Sequence, residues 1–172
     1  MVEPVARTYG MDIEKIRTVK AGKKSQVVIA LDSDEHPTLD DLEEVSKELS
    51  TLFDDAEERG EVSFGAGYPL ELTTPGVDLP LTEARHFRRN RGRKVKVGGE
   101  QWRVGPLDAN ETLVALVRAT KKGEEVRISP VSELSGAVVE IEFNAPPATE
   151  SELADRAFEE LEAAAAEGKE HK

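Results

Sequence analysis

Three histidines, His36, His86 and His171, are the only imidazoles in a chain of 172 residues that has no cysteine. Acid–base or nucleophilic catalysis needs such a group beside a positioned partner. Here each stands in a loop, a basic strip or the C-terminal stretch, and none accompanies a serine nucleophile motif. The inventory points away from an enzyme. The stretch "GKKS", Gly22–Ser25, lacks the upstream glycine of a phosphate loop and reads as a hairpin turn. "DSDEHP" places Asp32 and Asp34 as a calcium loop would, but sets Pro37 where the sharp turn needs glycine. Without thiols there is neither a disulfide framework nor a thiolate metal site. No metal and no cofactor are expected.

The side chains whose spacing does suggest chemistry are cations. Arg85, Arg88, Arg89, Arg91, Arg93, Lys94 and Lys96 lie within Arg85–Val97, with no acid among them. On a helix, Arg85, Arg88, Arg89 and Arg91 largely share one side. On a following strand, Lys94 and Lys96 point away from Val95 and Val97. Together they form a cationic surface suited to charge-assisted hydrogen bonds with phosphates and to counterion release. Phe87, in the same strip, reads as a core anchor rather than a base-stacking platform.

The strip runs against the charge of the chain, which is −12 overall. Residues 1–79 carry 8 Lys+Arg and 18 Asp+Glu, residues 80–144 carry 12 and 9, and residues 145–172 carry 3 and 8. The summed field repels polyanions, so any nucleic acid must be met locally by the middle segment. No apolar run is long enough for a membrane span and the N-terminus has no signal-peptide core, so a cytoplasmic protein is expected.

The elements that position the strip follow from periodicity. Val2–Tyr9 is a short first helix, with Pro4 in its first turn. Met11–Val19 slips phase at Ile16, the mark of a bulged strand. Val27, Ile29 and Leu31 alternate on a second strand, making a hairpin. Thr38 and Asp41 form a capping box for a helix over Leu39–Asp55, with apolar residues at Leu39, Leu42, Val45, Leu49, Leu52 and Phe53. Tyr68, Leu70 and Leu72 make a third strand, which Pro69 places at an edge or with that position facing out. Pro75, Gly76, Asp78 and Pro80 then form a stiff interdomain corner, with Gly76 free to take the positive φ of a type II turn. Short strands follow around Val95–Val97, Trp102–Val104, Thr112–Thr120, Val126–Ile128 and Ala137–Phe143, with a hairpin turn at Gly98–Gly99 and one helical turn over Pro130–Leu134. Five short strands suggest a small barrel. The alanine- and glutamate-rich 145–172 reads as an acidic tail, partly helical or disordered, with a thin stripe of Leu153, Ala157, Leu161 and Ala165. The expected organisation is thus α+β, with domains at 1–79 and 80–144 and a tail at 145–172.

The run "YPLELTTPGVDLPLTEARHFRRNRGRKVKV" resembles the central block of the RimP family of bacterial ribosome maturation factors. Pro75, Gly76, Val77, Asp78, Pro80, Leu81, His86, Phe87, Gly92, Val95 and Val97 match its pattern, Thr73 and Thr74 replace two serines, and Leu79 stands where the family usually has arginine. "VEPVARTYGMDIEKI" and "HPTLDDLEEVSKELSTLFD" extend the resemblance to about residues 2–143, with a first helix shorter than the family's. The resemblance implies an N-terminal α/β domain related in topology to type II KH domains, and a C-terminal Sm-like (SH3-type) β-barrel. It implies a non-enzymatic, monomeric factor that binds the free small ribosomal subunit late in assembly. Its partners there are ribosomal RNA and the decoding-centre protein, small-subunit protein twelve. A general Sm-like single-strand RNA binder is the alternative.

Overall fold

The computed structural model describes residues 2–21, 24–61, 69–76, 79–134 and 136–170, with the side chains of 20, 21, 24, 25, 169 and 170 left undescribed. The expected turn at Gly22–Lys23, the strand start at Tyr68, Asp78 of the rigid corner, and His171 lie outside these residues. The chain divides into two compact units, Met1–Gly76 and Val77–Lys172.

In the first unit, α1 (Val2–Thr8) leads into β1 (Asp12–Ala21) and β2 (Lys24–Asp32), followed by α2 (Leu39–Glu58) and β3 (Leu70–Thr73). The sheet order is β1-β2-β3. β1 and β2 are antiparallel, and the register shifts between Ile13 and Lys15, so that Ile13 opposes Leu31 and Ile16 opposes Ile29. That bulge keeps Ile13 and Ile16 on one face, which explains the phase slip in the sequence. α2 carries the chain over to β3, which lies parallel to β2 at the sheet edge. Val27, Ile29 and Leu31 pack against Leu42, Val45 and Leu49 of α2 and Val5, Ala6 and Met11 from the α1 end. The helix runs a turn beyond Asp55. Its first residue, Leu39, is 86% exposed, because it begins the helix beyond the edge of the buried face. Gly76 does not adopt the left-handed φ expected of it, so the corner is not that type II turn.

In the second unit, α3 (Ala84–Arg89) precedes β4 (Lys94–Val97), β5 (Glu100–Leu107), β6 (Leu113–Thr120) and β7 (Gly123–Pro130). A 3₁₀ turn (Val131–Glu133) then leads to β8 (Val138–Val139). Gly98 (φ 56°) and Gly99 (φ 87°) turn β4 into β5, left-handed conformations that a two-residue hairpin loop demands. β5 bends between Val104 and Leu107. At the bend, a Cβ on Gly105 would come within 2.8 Å of the Ala115 carbonyl oxygen, so only glycine permits that approach. One face of the sheet closes over Phe87, Trp102, Val104, Leu116, Leu134 and Val139.

The expected barrel is corrected in one respect. The sheet order is β7-β6-β5-β4-β8, and no ladder among the described residues joins β7 to β8. β8 is two residues long instead of the seven expected, and Ala137 bridges to Leu81, leaving too little strand for closure. The expected tail is corrected as well. Residues 145–172 contain α4 (Ala148–Asp155) and α5 (Phe158–Glu170), which belong to the second unit. Leu153, Ala154, Phe158 and Leu161 are buried against Ala115 and Val117 on the sheet's other face. The physical reason is a break at Arg156, whose extended ψ of 157° resets the helical phase. Ala157 turns outward and Phe158 inward, converting a thin stripe into an apolar face in which each large side chain stabilises by about 1.5–3 kcal/mol.

Candidate functional site

The strip Arg85–Val97 begins on α3, and two features fix that helix. Phe87 has no exposed surface and anchors it in the core. His86 lies at the third helical position, where its Nδ1 accepts the backbone N–H groups of Thr82 (3.0 Å) and Glu83 (3.1 Å). This satisfies two donors that a helix start leaves open. The imidazole thus caps the start of α3. Asn90 Nδ2 donates to the His86 carbonyl at 2.8 Å, and the Gly92 N–H donates to Val104 at 2.7 Å, tying the strip onto β5.

The structure separates the seven cations by what they touch. Arg85 pairs with Glu83. Arg88 reaches Glu111 at 2.5 Å. Arg89 is half-buried at the end of α3. Arg91 donates through Nε to the Ala154 carbonyl (2.9 Å) and through a terminal nitrogen to that of Arg156 (3.1 Å), so it caps the C-terminal end of α4, where a cation is favoured. Arg93 and Lys96 are exposed and Lys94 half-buried. Lys94 and Lys96 oppose Arg103 and Gln101 across β4 and β5, on the face away from Val95 and Trp102. They border a cleft of about 560 Å³ shared with Gln101 and Glu150. The strip is therefore one stretch of sequence with two jobs, an arginine part that ties elements together and a β4 part presented outward.

Trp102 is core, as expected. Arg118 lies 4.0 Å above its ring centroid and is itself held by Glu125 at 2.6 Å, so that ring face is occupied. Among the other acids, Asp32 Oδ1 is taken by the Ser33 N–H (2.9 Å) and His36 Nδ1 (3.1 Å), which makes the calcium-like loop a self-bonded turn.

One heavily bonded, buried polar group was not singled out by sequence reasoning. Arg103, on β5, has a fully buried side chain. Its Nε donates to Glu150 Oε2 (2.9 Å); one terminal nitrogen donates to the Gly92 carbonyl (3.0 Å) and Glu142 Oε2 (3.0 Å). The other donates to Glu142 Oε1 (2.8 Å) and lies 2.8 Å from Glu150 Oε2 as an ion pair. Four of the five guanidinium donors are thus hydrogen-bonded. Glu150 Oε1 in turn accepts from the Ala119 N–H at 3.2 Å. Hydrogen bonding to Arg103 holds the Glu142 carboxyl below its ordinary value, and the same bond to Glu142 raises the arginine further. The node joins β5, the chain after β8, the Gly92 loop and α4. Only the strand parity of Arg103 was visible in the sequence, and parity alone says outward, not buried.

These features define a two-unit α+β protein whose cations divide between internal struts and an outward surface. Residues 1–78 match the RimP N-terminal domain. Proteins called ribosome maturation factor RimP are 47% identical in Corynebacterium aurimucosum and 49% identical in Corynebacterium diphtheriae, in each case over 92% of this chain and 88% of the relative. That of Corynebacterium kroppenstedtii is 42% identical over 93% of each. The chain belongs to the RimP family.

Proposed function

We propose that this chain is a ribosome maturation factor that binds the free small ribosomal subunit and assists its late assembly without catalysis, as a cytoplasmic monomer. The observation that carries this reading is identity of 40–49% to ribosome maturation factors across both units. Charge supports it. The outward cations of the second unit, Arg93, Lys94 and Lys96, with Arg85, Arg88, Arg89 and Arg91 beside them, are suited to ribosomal RNA phosphates. The acidic α2 face suits a basic ribosomal protein, the family's implied small-subunit protein twelve, and opposite patches speed and orient such an encounter. On this reading the first unit is the KH-related domain and the second the Sm-like one, with Pro75, Gly76, Asp78 and Pro80 as the joint between them.

The test is co-sedimentation with purified small subunits. Arg93→Glu combined with Lys96→Glu, at exposed positions that hold no strut, is expected to reduce co-sedimentation at least tenfold while the melting temperature stays put. Unchanged co-sedimentation removes β4 from the mechanism. The alternative, a general single-strand RNA binder of Sm type, draws on the outer edges of β7 and β8, which no ladder among the described residues covers and which offer copies a route into a ring. A large species in gel filtration would favour it.

A further inference from the structure

The second unit has four aromatic side chains, and three of them, Phe87, Trp102 and Phe158, are buried. Phe143 is 93% exposed, and the fold holds it that way. The Glu140 N–H donates to the Lys94 carbonyl at 2.8 Å, one step past the Val95–Val139 pair. Two residues on, Glu142 is bonded by the same Arg103 nitrogen that bonds the Gly92 carbonyl, each at 3.0 Å. The chain from Val139 to Glu142 therefore runs back along Val95 to Gly92. Glu140 and Glu142 turn inward to Gln101 and Arg103, so Ile141, 65% exposed, and then Phe143 face away. Beyond the ring, Pro146 and Pro147 stiffen the chain, and Glu150 of α4 bonds the same guanidinium. Arg103 thus ties down both ends of the span that displays Phe143. In this register Arg93 lies beside Ile141; it is exposed and makes no ion pair among the described residues.

We propose that Phe143 is a base-stacking platform: an unpaired base of single-stranded RNA lies on its ring, and Arg93 bonds the adjoining phosphate. The inference rests on the function proposed above and deepens it, because it adds a contact to a base where the cations reach phosphates alone. A base inside a duplex is already stacked, so the ring selects loops and unpaired stretches. It tolerates any sequence, since every base has a π-face. The tied segment holds the ring in place before binding, which lowers the ordering cost. A nucleotide fits this patch better than a protein does. A protein interface needs a core of several apolar side chains, whereas Ile141 and Phe143 are the exposed large hydrophobics among the described residues of this unit. One ring beside one free guanidinium matches one base beside one phosphate. Trp102 is closed to this use, because Arg118 covers its ring.

The test uses the full chain, a single-stranded RNA oligomer carrying iodouridine, and purified small subunits. On irradiation iodouridine crosslinks to an aromatic ring stacked on it, so the photoproduct reports stacking itself. The wild type is expected to crosslink at Phe143, identified by mass spectrometry of the peptide. Phe143→Leu stays apolar but has no π-face. It is expected to weaken binding about tenfold, to lose the crosslink, and to leave the slope of log K against log[salt] unchanged, since a neutral ring releases no counterion. Phe143→Tyr should bind and crosslink as the wild type does. Arg93→Gln should keep the crosslink and make the slope shallower by about 0.7; an unchanged slope overturns the arginine's part. Equal affinity of Phe143→Leu and wild type, a crosslink that avoids Phe143, or no binding of the oligomer at low salt overturns the platform. Weaker co-sedimentation of Phe143→Leu with small subunits at unchanged RNA affinity overturns it in favour of a protein contact, and leaves the proposed function standing. A crosslink at Phe143 with the tenfold loss, but no co-sedimentation of the wild type, sinks the proposed function alone.

Discussion

Both units lay helix on sheet, but α2 and α4 are held there by different means. α2 caps itself: the Thr38 hydroxyl accepts from the Asp41 N–H at 3.1 Å and Asp41 Oδ2 accepts from the Thr38 N–H at 2.8 Å. It then buries a full stripe, Leu42, Val45, Leu49, Phe53 and Ala56. α4 starts at Pro147 with no side-chain cap and buries only Leu153 and Ala154. Its C-terminal carbonyls are satisfied by Arg91 and its Glu150 by Arg103, both from outside the helix. A helix with its own caps and stripe depends on local sequence. A helix held by distant arginines depends on the fold having already formed.

The sharpest way to break that contrast is Arg103→Ala. It leaves Glu142 and Glu150 facing each other across a buried gap, and removing one partner of a buried ionic group costs about 3–5 kcal/mol. Calorimetry should show the loss, and hydrogen exchange should place it in α4 and the β5–β6 amides, with α2 unchanged. Restoring neutrality with Arg103→Met, Glu142→Gln and Glu150→Gln together should recover most of it, since buried ion groups replaced as a set are often near neutral. A uniform loss of protection across both units would show that the two layers are not independent.

Acid is a gentler version of the same experiment. The Glu142 carboxyl is depressed below its ordinary 4.5 by its hydrogen bond to Arg103. Its contribution is therefore fully present above that value and is lost as pH falls through the lower folded-state value. The apolar stripe of α2 does not titrate. Circular dichroism between neutral pH and pH 3 should show stability falling in the wild type, and falling less in Glu142→Gln. Equal acid sensitivity in both would detach the node from the pH response.

What was legible in the sequence divides along the same line. The hairpin, the capping box, the edge position of β3 and the core role of Phe87 are local patterns that stand in the structure where the sequence put them, and the phase slip at Ile16 reports a bulge that falls between Ile13 and Lys15. The family followed from one block of turn and strand residues. What was not legible required contacts across dozens of residues. Arg103 meets Glu150 through a separation of 47, and no spacing rule links them. Arg91 looked like every other cation in its strip until α4 supplied carbonyls for it. The tail's apolar face was hidden because its phase breaks at Arg156. No ladder among the described residues closes the barrel, because β8 stops after two residues, although the sequence stays alternating through Phe143, which is 93% exposed.

The smallest effect tests the self-sufficient helix. Thr38→Ala removes the hydroxyl that accepts from Asp41 and is expected to cost about 1 kcal/mol. Faster exchange should be confined to the first turn of α2, with Arg103 and α4 untouched. The Asp41 carboxyl gives an independent reading. It is lowered first by the Thr38 N–H and second by the Thr38 side chain, and alanine keeps the N–H. An NMR titration of the variant should therefore find Asp41 moved up part of the way toward its ordinary value. Full return to that value would mean the backbone half of the box had opened too, and α2 would then rely on its reciprocal cap as a unit, much as α4 relies on Arg103.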